Sequence, residues 1–219
     1  MILGYWGIQA LNQPIRLLLA YLGQEYKEVT YKDFAEWQED KVKLGLNFPN
    51  LPYLIDGDIN LTESSAIPVY LCHKAGKNEL LGKEGIDRST HQQLVGVLKD
   101  LADLAWIIIR AEVPEETLKI HRAKLDAKFA QIDKFLEGKE YLLGYFTYAD
   151  ILLKYYSDIY NKLAAALKTD TFTLNLKAIS AHNELVSQIP EIKNFYENAP
   201  EAKFPIYVPT ITKIKEMAE

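Results

Sequence analysis

Cysteine is almost missing from this chain of 219 residues, with Cys72 standing alone. One cysteine excludes an internal disulfide framework. Cys72 lies in an apolar helical stretch, which makes it a core residue rather than a nucleophile. An uninterrupted apolar run of membrane length is also lacking, as is a charged, apolar, small-residue leader. A cytoplasmic location with no membrane partner is the default expectation. Positive charge gathers nowhere: 25 Lys and Arg face 30 Asp and Glu, for a net charge of −5. Residues 1–82 carry −3 of it and residues 83–219 carry −2, without a polybasic run, so nucleic acid is not an expected partner. His73, His91, His121 and His182 are scattered, and no HExxH, Cys/His ligand spacing, phosphate-binding glycine loop or GxSxG motif is present. No metal site and no cofactor is expected. Each histidine reads as a surface residue or a satisfied helix residue.

What the chain does have is an apolar content of 48%, with 14 Tyr, 8 Phe and 3 Trp. The length suffices for one large domain or two small ones. Ile2 to Tyr5 reads as a strand. Asn12-Gln13-Pro14 combines a capping residue with a first-turn proline, and Ile15, Leu18, Leu19 and Leu22 recur at helical spacing up to Gly23. Tyr26 to Tyr31 alternates as a second strand, and the charged stretch around Trp37 to Lys43 reads as a short helix. Tyr53 to Ile55 and Ile59 to Leu61 flank the turn Asp56-Gly57-Asp58. A helix is expected from Ser64 to Gly76, capped by Glu63 or Ser64, with Pro68 near its first turn.

The order strand, helix, strand, short helix, two strands, helix implies a mixed four-stranded sheet. That is the thioredoxin-like arrangement, an α/β domain over residues 1–82. Lys77 to Gly85 reads as a linker. Residues 83–219 are expected to be all-helical: Leu94, Leu98, Leu101, Ala105 and Ile108 form one stripe. Pro114 opens a second helix, with Leu118, Leu125, Phe129, Ile132 and Leu136 following. Thr147-Tyr148-Ala149-Asp150 has capping-box spacing. Further helical patterns cover Leu176 to Gln188 and Glu191 to Asn198, ahead of a tail with Pro200, Pro205 and Pro209.

The densest signal lies in Phe48-Pro49-Asn50-Leu51-Pro52-Tyr53-Leu54-Ile55-Asp56-Gly57 and in Leu61-Thr62-Glu63-Ser64-Ser65-Ala66-Ile67. Leu51-Pro52 is an X-Pro bond at the entrance of a strand, where a leading edge is able to pair with an extended peptide. Glu63-Ser64 precedes a helix whose free N–H groups suit an anion. The two together suit a short peptide carrying a carboxylate. Tyr5 ends the first strand; taken alone it reads first as a structural residue, although a hydroxyl at that place is able to donate a hydrogen bond to a thiolate and so lower a thiol pKa.

Taken with Gly4-Tyr5-Trp6 and Lys43-Leu44-Gly45-Leu46-Asn47-Phe48-Pro49-Asn50-Leu51-Pro52, these motifs resemble a glutathione S-transferase, the mu class most. The resemblance implies a transferase in which Tyr5 is catalytic and holds glutathione as thiolate. It implies that Trp6, Leu11, Asn50, Leu51 and Pro52 line the peptide site, with the Leu51 backbone on the cysteinyl part. Glu63 and Ser64 would take the γ-glutamyl end. Trp37 and Lys41 read alone as an exposed helix face, and by resemblance as contacts to the glycine end. Asp100 of a partner subunit would reach the γ-glutamyl amine, with Asp103 as the competing choice.

Trp6, Leu11, Arg110 and Ile211 would line a pocket for an apolar electrophile between the domains. Phe48 would be the aromatic key of a homodimer. Glu63 stands where the mu class has Gln, Phe34 where an Arg is common, and Arg110 where the class has a Tyr; Gly7 and Gln9 replace its Asn and Arg. The expected function is conjugation of glutathione to small electrophiles in detoxification. A non-catalytic binder of apolar ligands on the same fold, and a glutathione-dependent isomerase or synthase, are the alternatives.

Overall fold

The computed structural model describes residues 1–110, 115–166 and 176–207, without the side chains at 110, 115–118 and 166. Pro114, Pro209 and Ile211 lie outside the described residues, and so does the side chain of Arg110. Four strands are β1 (Ile2–Trp6), β2 (Lys27–Tyr31), β3 (Tyr53–Asp56) and β4 (Ile59–Thr62). They form one sheet in the order β2-β1-β3-β4. The β1–β2 pair is parallel, while β1–β3 and β3–β4 are antiparallel. With helices on its faces, this is the thioredoxin-like fold.

Strand alternation sends Leu3, Tyr5 and Leu54 to one face of the sheet and Gly4, Trp6, Tyr31 and Tyr53 to the other. The first face is covered by α1 (Gln13–Tyr21) and α3 (Ala66–Lys74), whose Ile15, Leu18, Leu19, Ile67, Leu71 and Cys72 are buried. Two ion pairs tie these helices to strands, Arg16 to Glu28 and Lys74 to Asp56. The second face carries α2 (Phe34–Lys41), capped by the Asp33 carboxylate on the Glu36 N–H. Helix α8 (Pro190–Asn198) packs on α1, so the first compact unit comprises Met1–Asn78 and Pro190–Pro205.

Local details depart from the sequence reading in two places. Asn12 stands at the N-cap of α1 but makes no capping bond with its side chain: it ends a 3-10 turn, Ala10–Asn12, and its amide reaches Glu28 instead. Pro14 does sit in the first turn. Helix α3 begins at Ala66 with Ser65 at its N-cap, later than expected, because Glu63 takes a left-handed backbone at φ 76°. The Glu63 carbonyl then accepts from both Ala66 and Ile67 N–H groups. Pro68 becomes the third residue of α3, where the absent N–H is one of the helix-start orphans.

The second unit comprises Glu79–Ile189 and the described residues from Ile206. Its helices are α4 (Ile86–Arg110), α5 (Glu115–Leu136), α6 (Tyr148–Ala166) and α7 (Lys177–Ser187). No strand occurs among its described residues. The stripe Leu94, Leu98, Leu101, Ala105 and Ile108 is buried, as are Leu125, Phe129, Ile132 and Leu136. Phe129 meets Tyr160 edge-on at 4.9 Å, and the Tyr160 hydroxyl donates to the Leu101 carbonyl. Asp150 is the third residue of α6 after Thr147, as the capping-box spacing requires. One histidine breaks the expectation of surface or satisfied helix residues. His182 is a satisfied helix residue, buried against Asp150, whereas His91 is buried with neither ring nitrogen partnered among the described residues. No described helix is long and apolar enough to cross a membrane.

Candidate functional site

Sheet register brings most of the singled-out residues to one end of the first unit. Gly4 lies opposite Tyr53, and Tyr53 lies opposite Thr62. The residues that follow Gly4 (Tyr5 and Trp6), precede Tyr53 (Asn50, Leu51 and Pro52) and follow Thr62 (Glu63 and Ser64) therefore share that end. Tyr31, paired with Trp6, brings the end of β2 there too, and α2 follows it. Seven residues from three separated stretches of sequence converge because β1 and β4 leave the sheet where β3 enters.

The Leu51-Pro52 bond is cis. Leu51 lies beyond the last rung of both ladders flanking β3, so its backbone is not committed to the sheet. Its N–H is held instead by the Asn50 side-chain carbonyl at 2.9 Å. The Asn50 amide nitrogen in turn donates to the Glu63 carboxylate at 3.1 Å, linking the β3 entrance to the β4 exit. Glu63 is exposed and carries a left-handed backbone that only glycine adopts without strain. Strain of this kind persists where the surroundings over-determine it, typically at ligand sites. Ser64 is partly exposed, beside the start of α3.

Tyr5 is buried at 5% exposure on the face covered by α1 and α3. The loop after it is held firmly. The Arg16 guanidinium, fully buried, donates to the Ile8 carbonyl at 2.8 Å. Gln9 donates through its amide to the carbonyls of Ala202 (3.1 Å) and Phe204 (2.7 Å). Glu28 accepts from Arg16, yet burial outweighs that bond and holds its carboxyl above the ordinary range. Leu11, 41% exposed, presents an apolar side chain from the 3-10 turn.

Trp37 corrects the reading of α2 as an exposed face. Its ring is 5% exposed, stacked on Tyr53 at 6.2 Å and edge-on to Tyr31 at 5.2 Å. Lys41, one turn on, is half-exposed. The Tyr31 hydroxyl donates to Asp40 at 2.6 Å and lies 3.0 Å from the Tyr53 hydroxyl. Sequence reasoning missed this trio. One signal was available: a glycine inside a strand marks a close approach. A Cβ on Gly4 would lie 2.1 Å from the Tyr53 ring, so Gly4 is what lets that ring cross β1.

Asp100 and Asp103 belong to the second unit. Asp100 holds Lys128 of α5 at 2.7 Å, whereas Asp103, strongly exposed, makes a 3.9 Å approach to Lys99 among the described residues.

Two family models match the chain: "Glutathione S-transferase, N-terminal domain" over residues 1–73 and "Glutathione S-transferase, C-terminal domain" over residues 102–199. The chain belongs to the glutathione S-transferase family. A class-mu 26 kDa isozyme of Schistosoma mansoni is 35% identical over 208 residues, 93% of this chain and 91% of that protein. Glutathione S-transferase 2 of Gallus gallus is 38% identical over 162 residues, 68% of this chain and 70% of that protein. The crystal structure of the glutathione S-transferase Blo t 8 superposes with a TM-score of 0.84 at 27% identity, covering 96% of this chain and 98% of that one. The family is one of transferases, and class-mu members are among its relatives here.

Proposed function

We propose that this family member binds reduced glutathione at the end of the sheet where β3 enters, and transfers an alkyl or aryl group to its sulfur. The observation that carries the reading is the convergence there of Tyr5-Trp6, Asn50-Leu51-Pro52 and Glu63-Ser64. The Leu51 backbone, outside both ladders, is free to pair with the cysteinyl residue, whose carbonyl would take the place of the Asn50 side chain on the Leu51 N–H. Ser64 and the start of α3 suit the γ-glutamyl carboxylate, and Glu63 suits its ammonium. Lys41 suits the glycine carboxylate.

In the reaction, the glutathione thiol gives its proton to solvent, and the Tyr5 hydroxyl donates a hydrogen bond to the remaining thiolate. The sulfur lone pair forms the S–C bond to an apolar electrophile, and the leaving group departs with its electron pair. Hydrogen-bonding the anion raises the thiolate fraction near neutrality, which is the rate-determining resource for a thiol nucleophile. Turnover of a chloronitroaromatic acceptor with glutathione tests the activity. In Tyr5→Phe the peptide contacts remain, so glutathione affinity is expected to stay near normal while turnover falls about 10²–10³-fold, the usual loss for one donor aimed at anionic charge. Bound thiolate, followed by absorbance against pH, should then appear only at higher pH than in the wild type. Identical titrations in the two proteins would move the catalytic role away from Tyr5.

The same reading makes the protein a homodimer. Phe48 is 79% exposed on the loop before Pro49, a costly placement for an aromatic unless a partner buries it. Phe48→Ala is expected to weaken a buried aromatic anchor by roughly 2–4 kcal/mol. A wild type that sediments as a monomer at micromolar concentration would end this part. Cytoplasmic detoxification belongs to the reading on the strength of the family alone.

A further inference from the structure

Helix α2 is attached to the sheet by little for an element that would bear part of the proposed glutathione site. Of its eight residues, Trp37 alone is buried. A single ring in a pocket fixes a helix in place but leaves its rotation and tilt soft. Asp40 and Lys41 follow Trp37 at three and four residues, so all three share one face. Asp40 also sits in the last turn of α2, where the helix dipole disfavours a negative charge. A carboxylate in that place needs compensation, and Tyr31 supplies it through its 2.6 Å hydrogen bond.

Tyr31 is rigidly mounted. It ends β2, is 4% exposed, packs edge-on against Trp6 at 6.4 Å, and has its hydroxyl 3.0 Å from that of Tyr53. Burial, and then the Asp40 carboxylate, push the Tyr31 hydroxyl well above its ordinary pKa, so it remains a donor. Tyr53 reaches it only across the missing side chain of Gly4.

We propose that the Tyr31–Asp40 hydrogen bond, backed by Tyr53, is a latch that sets the pose of α2 and thereby positions Lys41 on the glycine end of glutathione. Tyr31 and Asp40 are positioning residues that touch no substrate. The inference rests on the glutathione reading above. Asp40 and Lys41 are adjacent on the chain, so any swing of the last turn that frees Asp40 redirects Lys41. The remainder of the peptide site, on the β3 entrance and the start of α3, is attached to other elements and does not move with α2.

The test uses two peptides, glutathione and γ-glutamylcysteine, which lacks only the glycine. Binding of each is measured by calorimetry to the wild type, Tyr31→Phe, Asp40→Ala, Asp40→Asn and Lys41→Met. Losing one hydrogen bond to a charged group corresponds to about tenfold in an equilibrium. Tyr31→Phe and Asp40→Ala are expected to weaken glutathione by about three- to tenfold, part of that bond's worth, and γ-glutamylcysteine by less than about twofold. Asp40→Asn keeps an acceptor and should recover part of the loss. In turnover, KM for glutathione should rise in Tyr31→Phe with kcat unchanged, which a general loosening of the fold would not produce.

Lys41→Met separates this inference from the site reading. If Lys41→Met discriminates between the peptides and neither Tyr31→Phe nor Asp40→Ala does, the latch is refuted and the glycine end stays with Lys41. If Lys41→Met itself weakens both peptides equally, or neither, the glycine-end assignment falls and the latch with it.

Discussion

The sheet face beneath α2 and the centre of the helical unit both bury hydroxyls beside a carboxylate, but they satisfy it to different degrees. Asp40 is half-exposed and receives one hydroxyl donor, from Tyr31. Asp150 is fully buried. One of its oxygens accepts from the Leu142 N–H at 2.9 Å and lies 2.9 Å from His182 Nε2. The other accepts from the Thr147 N–H at 2.7 Å and from the Thr147 hydroxyl at 2.8 Å. Four donors from three parts of the unit thus depend on one side chain. Water is able to replace a lost donor at Asp40, and has no access at Asp150. The difference separates a place where adjustment is cheap, fit for gripping a ligand, from a place whose failure is a failure of folding.

Asp150→Ala breaks the second place and carries the largest expected effect. It strands three donors and a histidine in the interior, and a buried donor left unpaired typically costs about 1–3 kcal/mol, with several stranded together here. Urea unfolding of the variant at neutral pH should show that loss in midpoint. Thr147→Ala removes one hydroxyl at the helix start and should cost about 1 kcal/mol. A loss below about 1 kcal/mol for Asp150→Ala would erase the contrast between the two regions.

The same unit contains a histidine left out of any such network. His91 is 1% exposed, with neither ring nitrogen partnered among the described residues. Burial pushes its pKa down to about 4, against a smaller opposing pull from the Asp150 carboxylate. The unfolded chain takes up this proton near pH 6.5, and the folded chain only near pH 4. Between those values the unfolded state binds more protons, so the stability due to His91 is complete above pH 6.5 and is lost as pH falls. The slope is about 1.4 kcal/mol per pH unit for one proton. His91→Phe should remove about 1 kcal/mol of the fall in stability between pH 6.5 and 5.5, where the slope is still developing, without a loss at pH 7, since no hydrogen bond is removed. An unchanged slope in denaturant titrations at the two pH values would place the acid sensitivity elsewhere.

The two regions were unequally legible in the chain. Strand β2 was read from alternation, Gly23 stops α1 just past its C-cap, and the α4 stripe runs at helical spacing, so these elements could be read from local pattern. His91 even continues that stripe, three residues before Leu94, and the pattern predicts its burial better than its residue type does. The Thr147-x-x-Asp150 box was visible because its parts are three residues apart, but His182 joins it from 32 residues away through tertiary packing. The start of α3 was misread because a left-handed backbone at Glu63 has no marker in a non-glycine residue. Burial of Trp37 was hidden in a helix whose other residues are mostly polar or exposed. The trio of Tyr31, Asp40 and Tyr53 comes from three elements whose meeting depends on sheet register, which spacing along the chain does not encode.

The smallest expected effect sharpens the contrast from the side of α2. Tyr31→Phe keeps the ring that packs on Trp6 and Trp37 and deletes one hydroxyl. Asp40 is half-exposed, so water replaces the donor it loses, and only the Tyr53 hydroxyl is left with a poorer environment. Burial holds Tyr53 above its ordinary pKa, so it stays neutral and carries no stranded charge. Losing a neutral donor under these conditions typically costs about 0.5–1.5 kcal/mol. Global stability of Tyr31→Phe should therefore fall by no more than that in urea, several-fold less than for Asp150→Ala, while hydrogen exchange of the α2 amides quickens. Local opening that rises without a matching global loss is the behaviour of an element held at few points. Should Tyr31→Phe cost as much as Asp150→Ala, the hydroxyl cluster under α2 would be a second folding centre, and the distinction between gripping a ligand and holding the fold would not apply to this molecule.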